Sequence, residues 1–132
     1  MTLLEVSHQP RRRRRRPPSF RSNDTARICW LMEAAVAAAF AVPVDELRAP
    51  SRRPAGIAFA RQSAMYLAHV ALGLPCNTVG QIFRRDRTTA AHACQLVELR
   101  RDDPAIDRLL DMLEGVCSDI ARDIDMRQQA RP

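Results

Sequence analysis

Apolar positions recur along this chain at helical spacing. Ile28, Leu31, Met32, Ala35, Ala38 and Ala39 form one stripe, which predicts a first helix from about residue 24 to 41. Asn23 or Asp24 is placed to cap it and Pro43 to end it. Val44-Asp45-Glu46-Leu47 then predicts a short turn of helix. A second stripe, Ile57, Ala60, Ala64, Leu67, Ala68 and Ala71, predicts a helix over 56–72 stopped by Gly73. Asn77 is a cap for a short helix over 78–83, and another helix starts near Asp86 and runs past Val97. The last helix opens at Asp102-Asp103-Pro104 and carries Ile106, Leu109, Leu110, Leu113, Cys117, Ile120 and Ile124, the clearest amphipathic repeat in the chain. No alternating run bounded by turn residues reads as a strand. The pattern predicts an all-α fold over residues 23–125: a small helical domain with a helix-turn-helix and a long C-terminal amphipathic helix. An Arg-rich arm (1–22) precedes it and a frayed tail (126–132) follows.

The stretch 78–99 organises this pattern. Thr88, Thr89, His92 and Gln95 fall on one face of its second helix, and Ala90, Ala93, Cys94 and Val97 on the other. That is a helix buried on one side and offering short polar groups on the other. Arg84, Arg85 and Arg87 crowd its N-terminus, where guanidinium groups clamp phosphates while the polar face reaches base edges. The pattern points to a helix-turn-helix whose second helix enters the major groove of double-stranded DNA.

Charge sharpens the picture through its distribution. The net charge is +6 over 132 residues, but residues 1–22 already carry +6, residues 23–47 carry −3, residues 48–101 carry +7 and residues 102–132 carry −4. A basic middle between acidic helices implies one polyanion-facing surface, with the acidic last helix packed behind it. The Arg11–Arg16 run, followed by Pro17-Pro18, cannot build an apolar face and predicts disorder. Two readings stay open for it: non-specific nucleic-acid affinity through counterion release, or an extension without a role.

All 21 basic residues are arginine. Without lysine there is no P-loop and no Schiff-base chemistry. The three histidines are far apart, and no nucleophile–base spacing, paired-carboxylate site or glycine-rich loop occurs, so no enzyme is expected and no nucleotide or other cofactor. The four cysteines (Cys29, Cys76, Cys94, Cys117) lack a C-x-x-C pair. They read as reduced core thiols in a cytoplasmic, nucleoid-associated protein, with no metal site. No apolar segment approaches the ~20 residues of a membrane span. Trp30 is expected to be a semi-buried packing residue, and His69 to face solvent or phosphate.

With these residues laid out, the chain resembles the C-terminal DNA-binding domain (domain IV) of the bacterial chromosomal replication initiator DnaA. The carrying segments are Ala60-Arg61-Gln62-Ser63-Ala64-Met65-Tyr66-Leu67 and Arg85-Asp86-Arg87-Thr88-Thr89-Ala90-Ala91-His92-Ala93-Cys94, with Val79-Gly80 and Phe83 before the turn. The resemblance implies that Arg53 enters the minor groove, that Arg61 and Gln62 touch DNA from the start of their helix, and that Asp86, Thr88, Thr89 and His92 read the major groove. Two departures stand out. The family's Gly-Gly-Arg-Asp turn is shortened to Arg84-Arg85-Asp86, and Arg87 replaces its usual histidine. The chain also lacks room for the initiator's ATPase domain, so the resemblance implies a stand-alone module regulating replication initiation or transcription. The competing reading is a protein-interaction module that keeps the fold without specific DNA binding.

Overall fold

The computed structural model describes residues 22–49 and 55–130. They form six helices: α1 (Ser22–Ala39), α2 (Val44–Arg48), α3 (Ala55–Val70), α4 (Cys76–Phe83), α5 (Arg87–Arg100) and α6 (Pro104–Gln129). No strand occurs among the described residues. The expected all-α helix-turn-helix fold is the observed one.

α3 is the hub. Every residue from Ser63 to Ala68 is buried, because α5 packs heavily on this helix and α1, α2, α4 and α6 also touch it. A helix buried nearly all round needs small residues where neighbours come close. Ala60, Ala64 and Ala68 supply them on α3, as Ala90 and Ala93 do on α5. Gly73 takes the left-handed conformation (φ 71°) just past the end of α3. There the Leu74 N–H returns to the Ala68 carbonyl at 3.2 Å, satisfying one of the carbonyls a helix end leaves open. Ser63 is the exception on this hub: its hydroxyl is buried without a hydrogen-bond partner among the described residues.

α1 packs along α6 behind this hub. Its buried set is Ile28, Cys29, Met32, Val36 and Ala37. The expected stripe is therefore slightly misaimed: Leu31 and Ala38 are exposed, because the helix turns Cys29 and Ala37 toward α6 and α3. From α6 come Leu110, Leu113, Cys117 and Ile124 of the repeat read from the sequence, and Ala121, which lies outside it; Ile106, Leu109 and Ile120 of the repeat are only partly buried. Pro104 is the first residue of α6, and Asp103 Oδ1 accepts the Ala105 N–H at 2.9 Å, as an acidic cap should.

Helix boundaries differ from expectation in two places. α4 begins at Cys76 after Pro75, so Asn77 lies inside the helix, not at its cap. Proline fixes its own φ near the extended value found at Pro75 and starts the helix without a side-chain cap. α6 continues to Gln129, past the expected fraying point, with Arg122–Asp119 (3.0 Å) and Arg127–Asp123 (3.1 Å) pairs along its exposed side. Pairs at this spacing add only a few tenths of a kcal/mol each.

One arginine joins the last two helices to the hub. Arg101, just past α5, donates to Asp107 (2.6 Å), Glu114 (2.6 Å), Asp111 and the Tyr66 hydroxyl (3.1 Å). Tyr66 in turn donates to Glu98 at 2.7 Å. Burial raises the Tyr66 hydroxyl above its ordinary range, and the Glu98 hydrogen bond raises it further. This network spends much of the acidic face of α6 on an internal cation, on the side of the domain where α6 meets α3.

Candidate nucleic-acid interface

The turn between α4 and α5 is short because one residue reverses the chain. Arg84 adopts the left-handed conformation (φ 55°, ψ 43°) that ends α4, a position glycine fills at less cost. The next N–H, of Arg85, donates to the Gly80 carbonyl at 2.7 Å. Asp86 is extended and caps α5, its Oδ1 accepting the Thr89 N–H at 2.6 Å. Those backbone and side-chain hydrogen bonds from Thr89 hold the Asp86 carboxyl below its usual range. The turn also fits only over a glycine: a Cβ on Gly80 would lie 2.7 Å from the Arg85 carbonyl oxygen.

This turn sets the aim of α5. Ala90, Ala93 and Val97 are buried and Cys94 is half-buried, whereas Thr88, Thr89, His92 and Gln95 are exposed. Arg84 and Arg87 are exposed at the leading end, with Arg85 half-buried beside them. The polar face of α5 is thus left open by the packing of the described residues, and α6 lies against α1 and α3.

A cleft between α1, α2 and the turn gathers a second group of cations. Trp30, Arg48, Arg61, Phe83, Arg84 and Arg85 line it, so arginines far apart in sequence share one surface. Within it the structure corrects one expectation. Trp30 is 60% exposed, not semi-buried in the core. Its ring lies under the Arg48 guanidinium, 3.3 Å from the carbon to the ring centroid, while Arg48 also pairs with Glu33 at 2.5 Å. Arg48 thus ties α2 to α1 through a stacked cation.

Arg61, a DNA contact in the sequence reading, is held within the fold. It is only 8% exposed. Its Nε donates to the Leu47 carbonyl and its Nη2 to the Glu46 carbonyl, both at 3.0 Å. These oxygens belong to the end of α2, which lacks enough intrahelical donors. Arg61 is a brace for the end of α2. Gln62, beside it, is half-buried midway along α3. Arg53 and Arg11–Arg16 lie outside the described residues.

His69 is likewise turned inward, against the expectation of a solvent- or phosphate-facing ring. Its Nδ1–H donates to the Leu74 carbonyl at 2.7 Å, tying the α3–α4 connector to α3. Among the described residues no cluster of three or more His, Cys, Asp or Glu side chains is arranged to hold a metal, and no helix is long and apolar enough to cross a membrane. All four cysteines are free thiols. Sequence reasoning passed over Arg48, whose partners lie 15 and 18 residues away. It also valued Gly80 only as a family match, although a glycine inside a short helix is itself a signal of close backbone approach.

Residues 31–97 match the family described as bacterial dnaA protein helix-turn-helix. The match covers the second half of α1, all of α2 to α4 and most of α5. A relative, the chromosomal replication initiator protein DnaA of Bifidobacterium animalis subsp. lactis (strain AD011), is 41% identical over 63 residues, which is 47% of this chain and 11% of that protein. With a helix-turn-helix of this geometry inside the matched span, and that span more than half of the sequence, the chain belongs to the bacterial DnaA helix-turn-helix family.

Proposed function

We propose that this protein is a module that binds double-stranded DNA in a sequence-specific way, as a stand-alone regulator of replication initiation or transcription at the nucleoid, without catalysis. The observation that carries this reading is the exposed polar face of α5, flanked at its N-terminus by Arg84, Arg85 and Arg87. In this reading α5 lies in the major groove. The threonine methyl groups meet thymine methyls, and His92 and Gln95 reach base edges. Arg87 favours guanine, since a guanidinium pairs with the O6 and N7 acceptors in bidentate fashion. Asp86 contributes mainly through the N-terminus of α5, which it holds in place, and it keeps acceptor capacity toward cytosine N4. Arg61 and Gln62 approach the DNA from α3, Arg61 also fixing the end of α2, and Arg53 enters the minor groove. The Arg11–Arg16 run adds sequence-independent affinity.

Selection from random duplexes, followed by mobility shifts at ~150 mM salt where non-specific contacts weaken, tests the proposal. The expected result is a preferred site containing guanine opposite Arg87, and loss of that preference in His92→Ala and Arg87→Ala. Equal affinity for the selected and a scrambled duplex would reduce the protein to a general binder.

A second reading, a protein-interaction module, is favoured by one observation: Arg48 and Arg61 are already engaged by Glu33 and the α2 carbonyls. No shift with any duplex at low salt would decide for it.

A further inference from the structure

α5 is held at its two ends by different means. Its start is fixed by the α4–α5 turn and by the Asp86 cap, whose Oδ1 accepts the Thr89 N–H. Between the ends, its buried residues are Ala90, Ala93 and Val97, short side chains without a polar atom. Apolar burial of this kind has no direction. It sets how closely α5 approaches α3 and leaves rotation and tilt to directed contacts, which sit at the far end. The Tyr66 hydroxyl of α3 donates to Glu98 Oε2 at 2.7 Å and accepts from Arg101 Nη1 at 3.1 Å. Arg101 spends its remaining donors on Asp107, Asp111 and Glu114 of α6. Beside it the Arg100 guanidinium carbon lies 4.6 Å from the Phe59 ring centroid, a contact made by an exposed side chain.

We infer that Tyr66 is a positioning residue for base readout: its hydroxyl, clamped between Glu98 and Arg101, fixes the far end of α5 and so the place of His92 and Gln95 against the bases. The inference rests on the proposed DNA-reading role of α5. Tyr66 is only 2% exposed, so it acts through the helix it holds and not by touching DNA. The sense of its two hydrogen bonds is fixed, because a guanidinium can only donate and a carboxylate can only accept. Rotating α5 about its own axis would carry Glu98 off the hydroxyl. Tilting it would part Arg101 from the carboxylates of α6. One orientation satisfies both.

The effect of losing this clamp is graded along the helix. At about 1.5 Å per residue, His92 lies roughly 7 Å from Arg87, Gln95 about 12 Å and Glu98 about 16 Å. Helices that slide at interfaces move by about 1–2 Å. A shift of about 1 Å at Glu98, pivoting on the capped start, moves Gln95 by about 0.7 Å, His92 by about 0.5 Å and Thr88 by about 0.1 Å. A binding constellation tolerates about 0.5 Å of misplacement. Readout by Gln95 and His92 is therefore lost first, while Arg87 and Thr88 keep theirs and phosphate attraction stays in place.

Tyr66→Phe in the full-length protein keeps the ring and removes only the hydroxyl. Site selection from random duplexes with this variant should retain guanine opposite Arg87 and lose preference at the positions that His92→Ala and Gln95→Ala identify in the parent. Affinity for the parent's selected duplex falls about tenfold, the size of one good base contact. Binding to a scrambled duplex at low salt, and the slope of log affinity against log salt, stay unchanged. Glu98→Ala reproduces the loss, the double variant is no worse than either single one, and Glu98→Gln, which keeps a carbonyl acceptor, retains the parent's preference. An unchanged preference in Tyr66→Phe, a uniform loss over all base positions, or additive effects in the double variant overturns the inference. Should Tyr66→Phe not fold, Glu98→Ala, on an exposed side chain, carries the same comparison. If the parent binds no duplex, the DNA reading fails alone, and hydrogen exchange decides whether Tyr66 positions α5. Amides 96–100 then exchange faster in both variants with 90–94 unchanged, and unchanged exchange at 96–100 overturns the inference.

Discussion

Gly80→Ala changes the recognition unit without touching any residue proposed to meet DNA. A Cβ at Gly80 would lie 2.7 Å from the Arg85 carbonyl oxygen and 3.1 Å from the Asp86 carbonyl carbon and oxygen. All three are backbone atoms, so no side chain can swing aside. A close but tolerable carbon–oxygen contact is about 3.3 Å, and the turn must therefore retreat by roughly half an ångström. Two features resist that retreat: the Arg85 N–H is bonded to Gly80's own carbonyl at 2.7 Å, and Arg84 already occupies the left-handed region. Overpacking of this kind costs about 1–3 kcal/mol, and the better helix propensity of alanine returns up to about 1 kcal/mol. The expected net loss is about 1–2 kcal/mol. Asp86 moves with the turn, so α5 is re-aimed as well as loosened. Urea unfolding followed by circular dichroism measures the first effect, and mobility shifts on the selected duplex the second. Specific affinity should fall about tenfold, with binding to a scrambled duplex at low salt nearly unchanged. A variant at least as stable as the parent, with the same specific affinity, would refute the claim that this close approach fixes the geometry of α5.

Arg101→Gln leaves the carboxylates of α6 facing Tyr66 without their cation. Those carboxylates are 30–45% exposed while Arg101 is 14% exposed, so water takes over part of the loss and the unfolding free energy from urea titration should drop by about 2 kcal/mol, less than for a fully buried pair. The Asp86 cap gives a pH dependence with a definite sign: its carboxyl is held below its unfolded value, so its contribution is present above that value and fades as pH falls through the folded one. Asp86→Asn should accordingly cost stability at neutral pH and lose its difference from the parent once pH is well below about 4, and a difference that grew in acid would contradict the assignment. Arg84→Gly relieves a left-handed arginine and should raise the unfolding free energy by about 0.5–1 kcal/mol after the entropic cost of glycine. Ser63→Ala removes a buried hydroxyl that has no partner among the described residues and should stabilise by about 1 kcal/mol in the same assay.

Periodicity carried the fold well, because each helix buries a face whose spacing is written locally. The α6 repeat needs no partner to be recognised, and the same holds for the split of α5 into Ala90, Ala93 and Val97 inside and Thr88, Thr89 and His92 outside. What spacing cannot give is the partner of a side chain that reaches across the fold. Arg61 lies on the first half of α3, but its acceptors are carbonyls of α2, 14 and 15 residues away. Trp30 was legible as an aromatic residue, yet only the fold brings Arg48 over its ring.

The all-arginine composition makes this limit sharper at the interface itself. Charge counting assigns +7 to residues 48–101 and treats every guanidinium there as available to a polyanion. The fold divides them by what they touch. Arg48 answers Glu33 and Trp30, Arg61 answers the end of α2, and Arg101 answers three carboxylates of α6 and Tyr66, whereas Arg84 and Arg87 are exposed at the leading end of α5. The affinity of this surface for phosphate therefore depends on fewer cations than the segment contains. The slope of log affinity against log salt, about −0.9 per phosphate neutralised in duplex DNA, reads that number directly. With the arm 1–22 removed, replacing Arg84 or Arg87 should lower the slope by about one unit each, and replacing Arg101 should leave it unchanged. An Arg101 variant that stayed folded and lost a full unit of slope would show that this network opens to meet DNA.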